Sequence, residues 1–196
     1  MSGGRLVFSI GHSTQTIERF VDLLDRHRVT AVADVRSSPY SKHAPQFSVE
    51  DLKASLKEAG IAYVFLGKEL GARSHDNSCY IGNVVSYDRL SKTRIFNEGI
   101  QRVEDGCDRY RIALMCSERD PTECHRTILV SRVLSERGVK IRHILSDGTS
   151  EAHEETMLRV LDILGMPRTD MLNSQEELVA KAYIGREKQI AYRREG

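Results

Sequence analysis

At 196 residues, 40% of them hydrophobic and 6% aromatic, the chain is long enough to bury one sizeable core, and a single domain is the expectation. Its 29 Lys and Arg nearly balance 28 Asp and Glu, so no global charge drives it onto nucleic acid or an anionic membrane, and any basic surface must be local. No stretch reaches the length of a membrane span, and the apolar run after Arg5 is too short for a signal peptide. The four cysteines are irregularly spaced, which suits a reduced compartment, and a cytoplasmic location is expected.

In chain order, residues 6–10 read as a short buried strand ended by Gly11. Thr14 or Thr16 then caps a helix whose stripe is Ile17, Phe20, Val21 and Leu24. Residues 30–35 form a second strand. Ser48 and Asp51 resemble a capping box opening a helix through Leu52 and Leu56 to Gly60. Residues 61–66 are a third strand, a helix is expected from about Tyr87 to Asp105, and residues 110–115 are a fourth strand. Pro121 opens a helix through Ile128, Leu129, Val133 and Leu134 to Gly138; residues 139–145 are a fifth strand and 151–164 another helix. Near the end, Ser174 and Glu177 form a capping box before the stripe Leu178, Val179, Ala182 and Tyr183.

Strands alternating with helices predict a three-layer α/β, Rossmann-like domain with a mainly parallel sheet of about five strands. That domain is expected over residues 1–170. Residues 171–196 would be a C-terminal helical extension packed on the domain or on a partner, which leaves room for a homodimer.

The polar residues are distributed asymmetrically. Gly11-His12-Ser13-Thr14, Arg36-Ser37-Ser38-Pro39, Gly67-Lys68-Glu69, Cys116-Ser117-Glu118-Arg119 and Ser146-Asp147-Gly148 each follow a strand, whereas the loops after helices are bland. In an open parallel sheet the former line the carboxyl edge, where such folds bind ligands.

The richest segment runs from Leu114 to Arg126. Asp120 as N-cap and Pro121 at the first helical position put Cys124, His125 and Arg126 in a helix's opening turn, beside an end of positive dipole. Three chemistries compete there. Cys116 or Cys124 is a nucleophile if Arg126 or Arg119 stabilises its thiolate and His12 or His125 serves as base. The sixth residues after these cysteines are Thr122 and Val130, so a loop cradling an oxyanion between cysteine and arginine is missing. Alternatively, Cys116, Cys124, His125 and His12 supply sulfur and nitrogen to zinc or iron. Against this, the cysteines are eight residues apart, and adjacent Cys124 and His125 would diverge by roughly 100° on a helix. In the third reading Arg36 and Arg126, helped by Arg73 or Arg119 and the hydroxyls of Ser13, Thr14, Ser37 and Ser38, grip an anion. The bland version pairs those arginines with Asp34, Glu118 or Asp120.

Residues 37–47 mix Tyr40, Lys42, His43 and Phe47 with prolines, as a nucleobase-stacking loop or a lid would. Residues 71–83 form a second long loop able to close the same crevice. Cys79 and Cys107 look incidental.

Ser9-Ile10-Gly11-His12-Ser13-Thr14, Asp34-Val35-Arg36-Ser37-Ser38-Pro39, Pro45-Gln46-Phe47 and Cys116-Ser117-Glu118 through Cys124-His125-Arg126 resemble the signature blocks of the bacterial and archaeal proteins grouped as domain of unknown function 488. The resemblance spans residues 6 to about 146. It implies a compact α/β domain with a site built from those blocks, and no particular activity or cofactor.

The residues themselves lead to an enzyme of hydrolysis or group transfer acting on a phosphorylated or nucleotide-like ligand, free or within nucleic acid. His12 would be acid or base, Cys116 or Glu118 the nearby reactive group, and Ser13, Thr14, Arg36, Ser37, Cys124, His125 and Arg126 the binding set. A non-catalytic nucleotide, nucleic-acid or protein binding module, and a metal- or thiol-dependent protein using Cys116, Cys124 and His125, are the alternatives.

Overall fold

A computed structural model describes residues 4–194. Six strands form the central sheet in the order β3-β2-β6-β1-β7-β8. They are β1 (Leu6–Gly11), β2 (Ala31–Asp34), β3 (Ala62–Phe65), β6 (Ile112–Cys116), β7 (Lys140–Ile144) and β8 (Ser150–Ala152). The first five run parallel, and β8 pairs antiparallel to β7. The central strands are unbroken apolar runs because both sheet faces are covered: all five residues of β6 and all four of β2 are buried.

The pleat divides their side chains between two cores. Phe8, Ile10, Val32, Ala113 and Met115 pack under α1 (Ile17–Arg26) and α2 (Val49–Glu58), against Phe20, Leu23, Leu24, Leu52 and Leu56. Val7, Ala33, Ile112, Leu114 and Cys116 face the opposite, larger layer. That layer contains α3 (Gly67–Leu70), α4 (Tyr87–Ser91), α5 (Arg94–Gly106), α6 (Arg132–Glu136), α7 (His153–Ile163) and α8 (Gln175–Ile190). Between α3 and α4 lies the hairpin of β4 (Tyr80–Ile81) and β5 (Val84–Val85), turned at Gly82 with φ +61°. After α8 the chain returns to this hairpin, where the Val85 N–H donates to the Tyr192 carbonyl at 3.0 Å.

Several expectations change. Thr16, not Thr14, caps α1. Ser48 precedes α2 without a side-chain capping bond, its hydroxyl accepting instead from the Ser41 N–H. The helix expected over 87–105 is two helices, because the Thr93 hydroxyl accepts from the Phe96 N–H and starts a new one. A sixth strand arises where Asp147 and Gly148 (φ +97°) reverse the chain. The helix expected to run from Pro121 is broken. One 3₁₀ turn (Pro121–Glu123) gives way to an extended Cys124 (φ −130°, ψ 141°), then a π-helix (Arg126–Ser131), and only then α6.

The C-terminal extension packs on the domain. Ser174 and Glu177 exchange both capping bonds, and Leu178, Ala182 and Tyr183 of α8 join the larger core. No helix among the described residues is long and apolar enough to cross a membrane.

Candidate functional site

The site is built where β6 stops. After Cys116 the backbone folds back over the end of β1, where the His12 and Ser13 N–H groups donate to the carbonyls of Cys116 and Ser117 at 2.9 Å each. Gly11 permits this crossing: a Cβ there would lie 1.8 Å from the Glu118 carbonyl oxygen. Asp120 then caps the 3₁₀ turn through the Thr122 N–H at 2.8 Å. Because Cys124 is extended rather than helical, its thiol swings back toward β6.

The fold-back collects four donors. Cys116 Sγ, a Glu118 carboxylate oxygen, Cys124 Sγ and a His125 ring nitrogen all lie within 4.8 Å of one another. Cys124 Sγ is 2.9 Å from Glu118 Oε2, and His125 Nδ1 is 3.6 Å from Cys116 Sγ and 3.9 Å from Cys124 Sγ. The other imidazole nitrogen, Nε2, lies 3.0 Å from the Val35 carbonyl oxygen, so it carries the proton and Nδ1 presents its lone pair to the sulfurs. The objection that Cys124 and His125 diverge on a helix therefore lapses.

The electrostatics treat the two thiols oppositely, favouring the anion at Cys124. Burial opposes a charge on Cys124, but Cys116 and then the Arg126 guanidinium hold its thiol well below the usual range. The Arg126 N–H also donates to Cys124 Sγ at 3.4 Å. Burial, Cys124 and Glu118 push the Cys116 thiol well above its usual value. Burial and then Cys124 raise the Glu118 carboxyl, whose Oε2 accepts from the Cys124 thiol at 2.9 Å.

The arginines expected to grip an anion are spent internally. Arg126 is fully buried and donates to the Glu118 carbonyl (2.9 Å), the Arg119 carbonyl (3.3 Å) and the Ser9 hydroxyl (3.3 Å). It thereby fixes the fold-back loop from below. Arg36 is clasped by Asp34, from Nε to Oδ1 at 2.9 Å and from Nη2 to Oδ2 at 2.6 Å, and Tyr63 donates to the same carboxylate. This matches the bland pairing with Asp34. Asp120 pairs with Arg159 instead.

His12 stacks on Phe47 with ring centroids 4.3 Å apart. Its Nδ1 donates to the Ser13 carbonyl at 2.7 Å and its Nε2 accepts from Arg36 Nη1 at 3.2 Å. Burial, reinforced by the Arg36 charge, lowers its pKa to about 4 and keeps it neutral.

A polar crevice of about 380 Å³ opens above the cluster. Cys116, Glu118 and His125 line it together with Arg36, Ser37, Arg73, Tyr87 and Tyr192. His12, Ser13, Thr14, Cys124 and Arg126 are not in its lining. A groove of similar size, about 400 Å³, lies beside β3 and α5 without any thiol or imidazole, so volume alone does not select the site.

Neither Tyr87 nor Tyr192 reads as a site residue in the sequence. Tyr87 opens a short helix like any other residue, and Tyr192 reaches the crevice only because the chain returns to the hairpin. Burial, with Cys124, Glu187, Cys116 and Glu118 around it, pushes the Tyr87 phenol above its usual range and keeps it protonated.

The family model described as Domain of unknown function DUF488 matches residues 16–133, more than half of the 196-residue chain. The chain belongs to this family. No match was found among curated proteins or among solved structures. The DUF488 match includes Arg36 and the whole segment from Cys116 to Arg126, while His12 lies just ahead of it.

Proposed function

We propose that this DUF488 protein is a metal-dependent enzyme of hydrolysis or group transfer, with a divalent cation of the zinc or iron class held by Cys116, Cys124 and His125. The observation that carries the reading is the convergence of two thiols, an imidazole nitrogen and a carboxylate within 4.8 Å, three of the four residues also lining a crevice. Two sulfurs and one nitrogen are a donor set that zinc accepts, and catalytic zinc sites keep three protein ligands and one open position. A cation there would supply Lewis acidity toward a substrate oxygen or a bound water.

The chain's own residues complete the arrangement. Val35 fixes the His125 tautomer, and Arg126 holds the loop that carries Glu118. Glu118, the exposed member of the four, faces the crevice as the group positioned to take or give a proton.

The reading in which Arg36 and Arg126 hold a phosphate has less support, because both guanidiniums are already satisfied. A thiol nucleophile has less support too, since Cys116 and Cys124 are only 3% and 1% exposed.

Native mass spectrometry of freshly purified protein, set against its denatured mass, tests the proposal. One zinc- or iron-sized increment per chain is expected, lost in Cys124→Ser and in His125→Ala with the circular dichroism of the fold retained. A bare chain that also fails to develop sulfur-to-metal absorption when titrated with cobalt(II) would overturn it.

A further inference from the structure

Two side chains of the crevice are left without a role by everything described so far. Tyr87 is only 2% exposed and lines the crevice, and its hydroxyl makes no hydrogen bond within the described residues. The hydroxyl is not among the fully buried unpartnered atoms, so what remains open of this side chain is available to a ligand in the crevice. Its own backbone N–H is satisfied by Glu187 at 2.7 Å, which pins the residue in place.

Arg73 lies across the same crevice. Its guanidinium lies over the Tyr192 ring, 4.7 Å from the centroid, and makes no ion pair among the described residues. Its N–H donates to the Ser37 hydroxyl at 3.0 Å, so the backbone below the side chain is anchored as well. The stack leaves the guanidinium fork free, the geometry that grips a planar oxyanion.

We propose that the crevice is the binding site of a small carboxylic acid, whose carboxylate is held by Arg73 and whose second oxygen, beside the cluster, accepts a hydrogen bond from the Tyr87 hydroxyl. This rests on the metal reading for what happens at that second oxygen, but the recognition by Arg73 and Tyr87 is separate from it.

Shape, charge and size select the class. Arg73 is the one arginine of the lining not already paired among the described residues, and its planar fork matches a carboxylate in two parallel bonds. Glu118 and Glu123 also line the crevice, so a monoanion meets less repulsion there than a phosphate dianion. The volume of about 380 Å³ is near the lower end of small-molecule sites, roughly 300–1,000 Å³, which suits a metabolite rather than a nucleotide with its base, sugar and phosphates.

The test is titration calorimetry of the full chain, metal-free and cobalt-loaded, with levulinate (4-oxopentanoate, a monoanion with a second oxygen) and separately with inorganic phosphate, together with the cobalt absorption spectrum. Levulinate is expected to bind saturably and more tightly than phosphate, and to perturb the cobalt bands. Arg73→Ala should weaken levulinate at least tenfold. Tyr87→Phe should weaken it several-fold and shrink the spectral change, with cobalt stoichiometry intact in both variants. Failure of levulinate to bind wild-type protein, equal affinity in the variants, or tighter binding of phosphate would overturn the proposal even if the cluster holds its metal. A chain that takes up no cobalt yet binds levulinate through Arg73 would sink the metal reading and leave this assignment standing.

Discussion

Gly11 shows how much of the site hangs on one residue. The cluster needs the loop after Cys116 to cross the end of β1 at a distance no side chain allows. Adding a Cβ would put it 1.8 Å from the Glu118 carbonyl oxygen and 2.8 Å from that carbonyl carbon, both backbone atoms with little freedom to retreat. Gly11→Ala should therefore displace the loop, costing about 1–3 kcal/mol in stability, the range for overpacking, and abolishing metal uptake. Gly138 is a control. Its φ of +83° strains an alanine, but nothing lies within 4 Å of the added Cβ, so Gly138→Ala should cost about 1 kcal/mol with metal uptake unchanged. Denaturant unfolding and metal stoichiometry of the two variants check the contrast; an unaffected cluster in Gly11→Ala would mean the crossing is not what assembles it.

Within the elements, the broken segment after Pro121 explains why the site was half legible. Asp120 and Pro121 signalled a helix start, and the cap does form at Thr122. The one-turn commitment ends at Cys124, which no local propensity marks as extended. Cys116, Cys124 and His125 were visible as reactive residues, but a helical geometry separated them, and only the extended Cys124 reunites them. Strands were legible where burial on both faces demands unbroken apolar residues, as in β6. The polar edge strand β8, Ser-Glu-Ala, carries no such mark.

The π-helix that follows carries its own cost. The hydroxyls of Thr127 and Ser131 are buried there without hydrogen-bond partners among the described residues. An unsatisfied buried hydroxyl costs about 1–3 kcal/mol, so Thr127→Val and Ser131→Ala should each be neutral to stabilising by about 1 kcal/mol. A loss of stability in thermal unfolding would show that these hydroxyls satisfy something.

Across the whole molecule, a buried relay ties sheet, α7 and α8 together. Ser9 Oγ is 2.6 Å from His143 Nδ1, His143 Nε2 is 2.9 Å from His153 Nδ1, and His153 Nε2 is 2.6 Å from the Tyr183 hydroxyl. Arg126 donates to Ser9, so the polarity that satisfies every buried group runs outward: the Ser9 hydroxyl donates to His143, the His143 Nε2–H to His153, and the His153 Nε2–H to the Tyr183 oxygen. Each ring is then neutral, and protonating either one sets donor against donor. Burial, aided for His143 by the neighbouring His153 and arginines, drives His143 well below its usual pKa; burial lowers His153 from 6.5 to about 4. The folded state thus binds these protons more weakly than the unfolded chain. The stability they contribute is complete above pH 6.5 and drains away as pH falls toward 4. For His153 alone the loss between pH 7.5 and pH 5 should be about 2 kcal/mol, and His143 and His12 add to it in the same direction. Urea unfolding of metal-free protein across that range measures it, with chelator present so that cation release at low pH does not contribute. Hydrogen exchange locates it: α8, joined to the relay through Tyr183, should lose protection at pH 5 before the central strands do. A flat stability profile from pH 7.5 to 5, or uniform loss of protection, would mean that the relay tolerates a second proton and does not anchor the C-terminal helix.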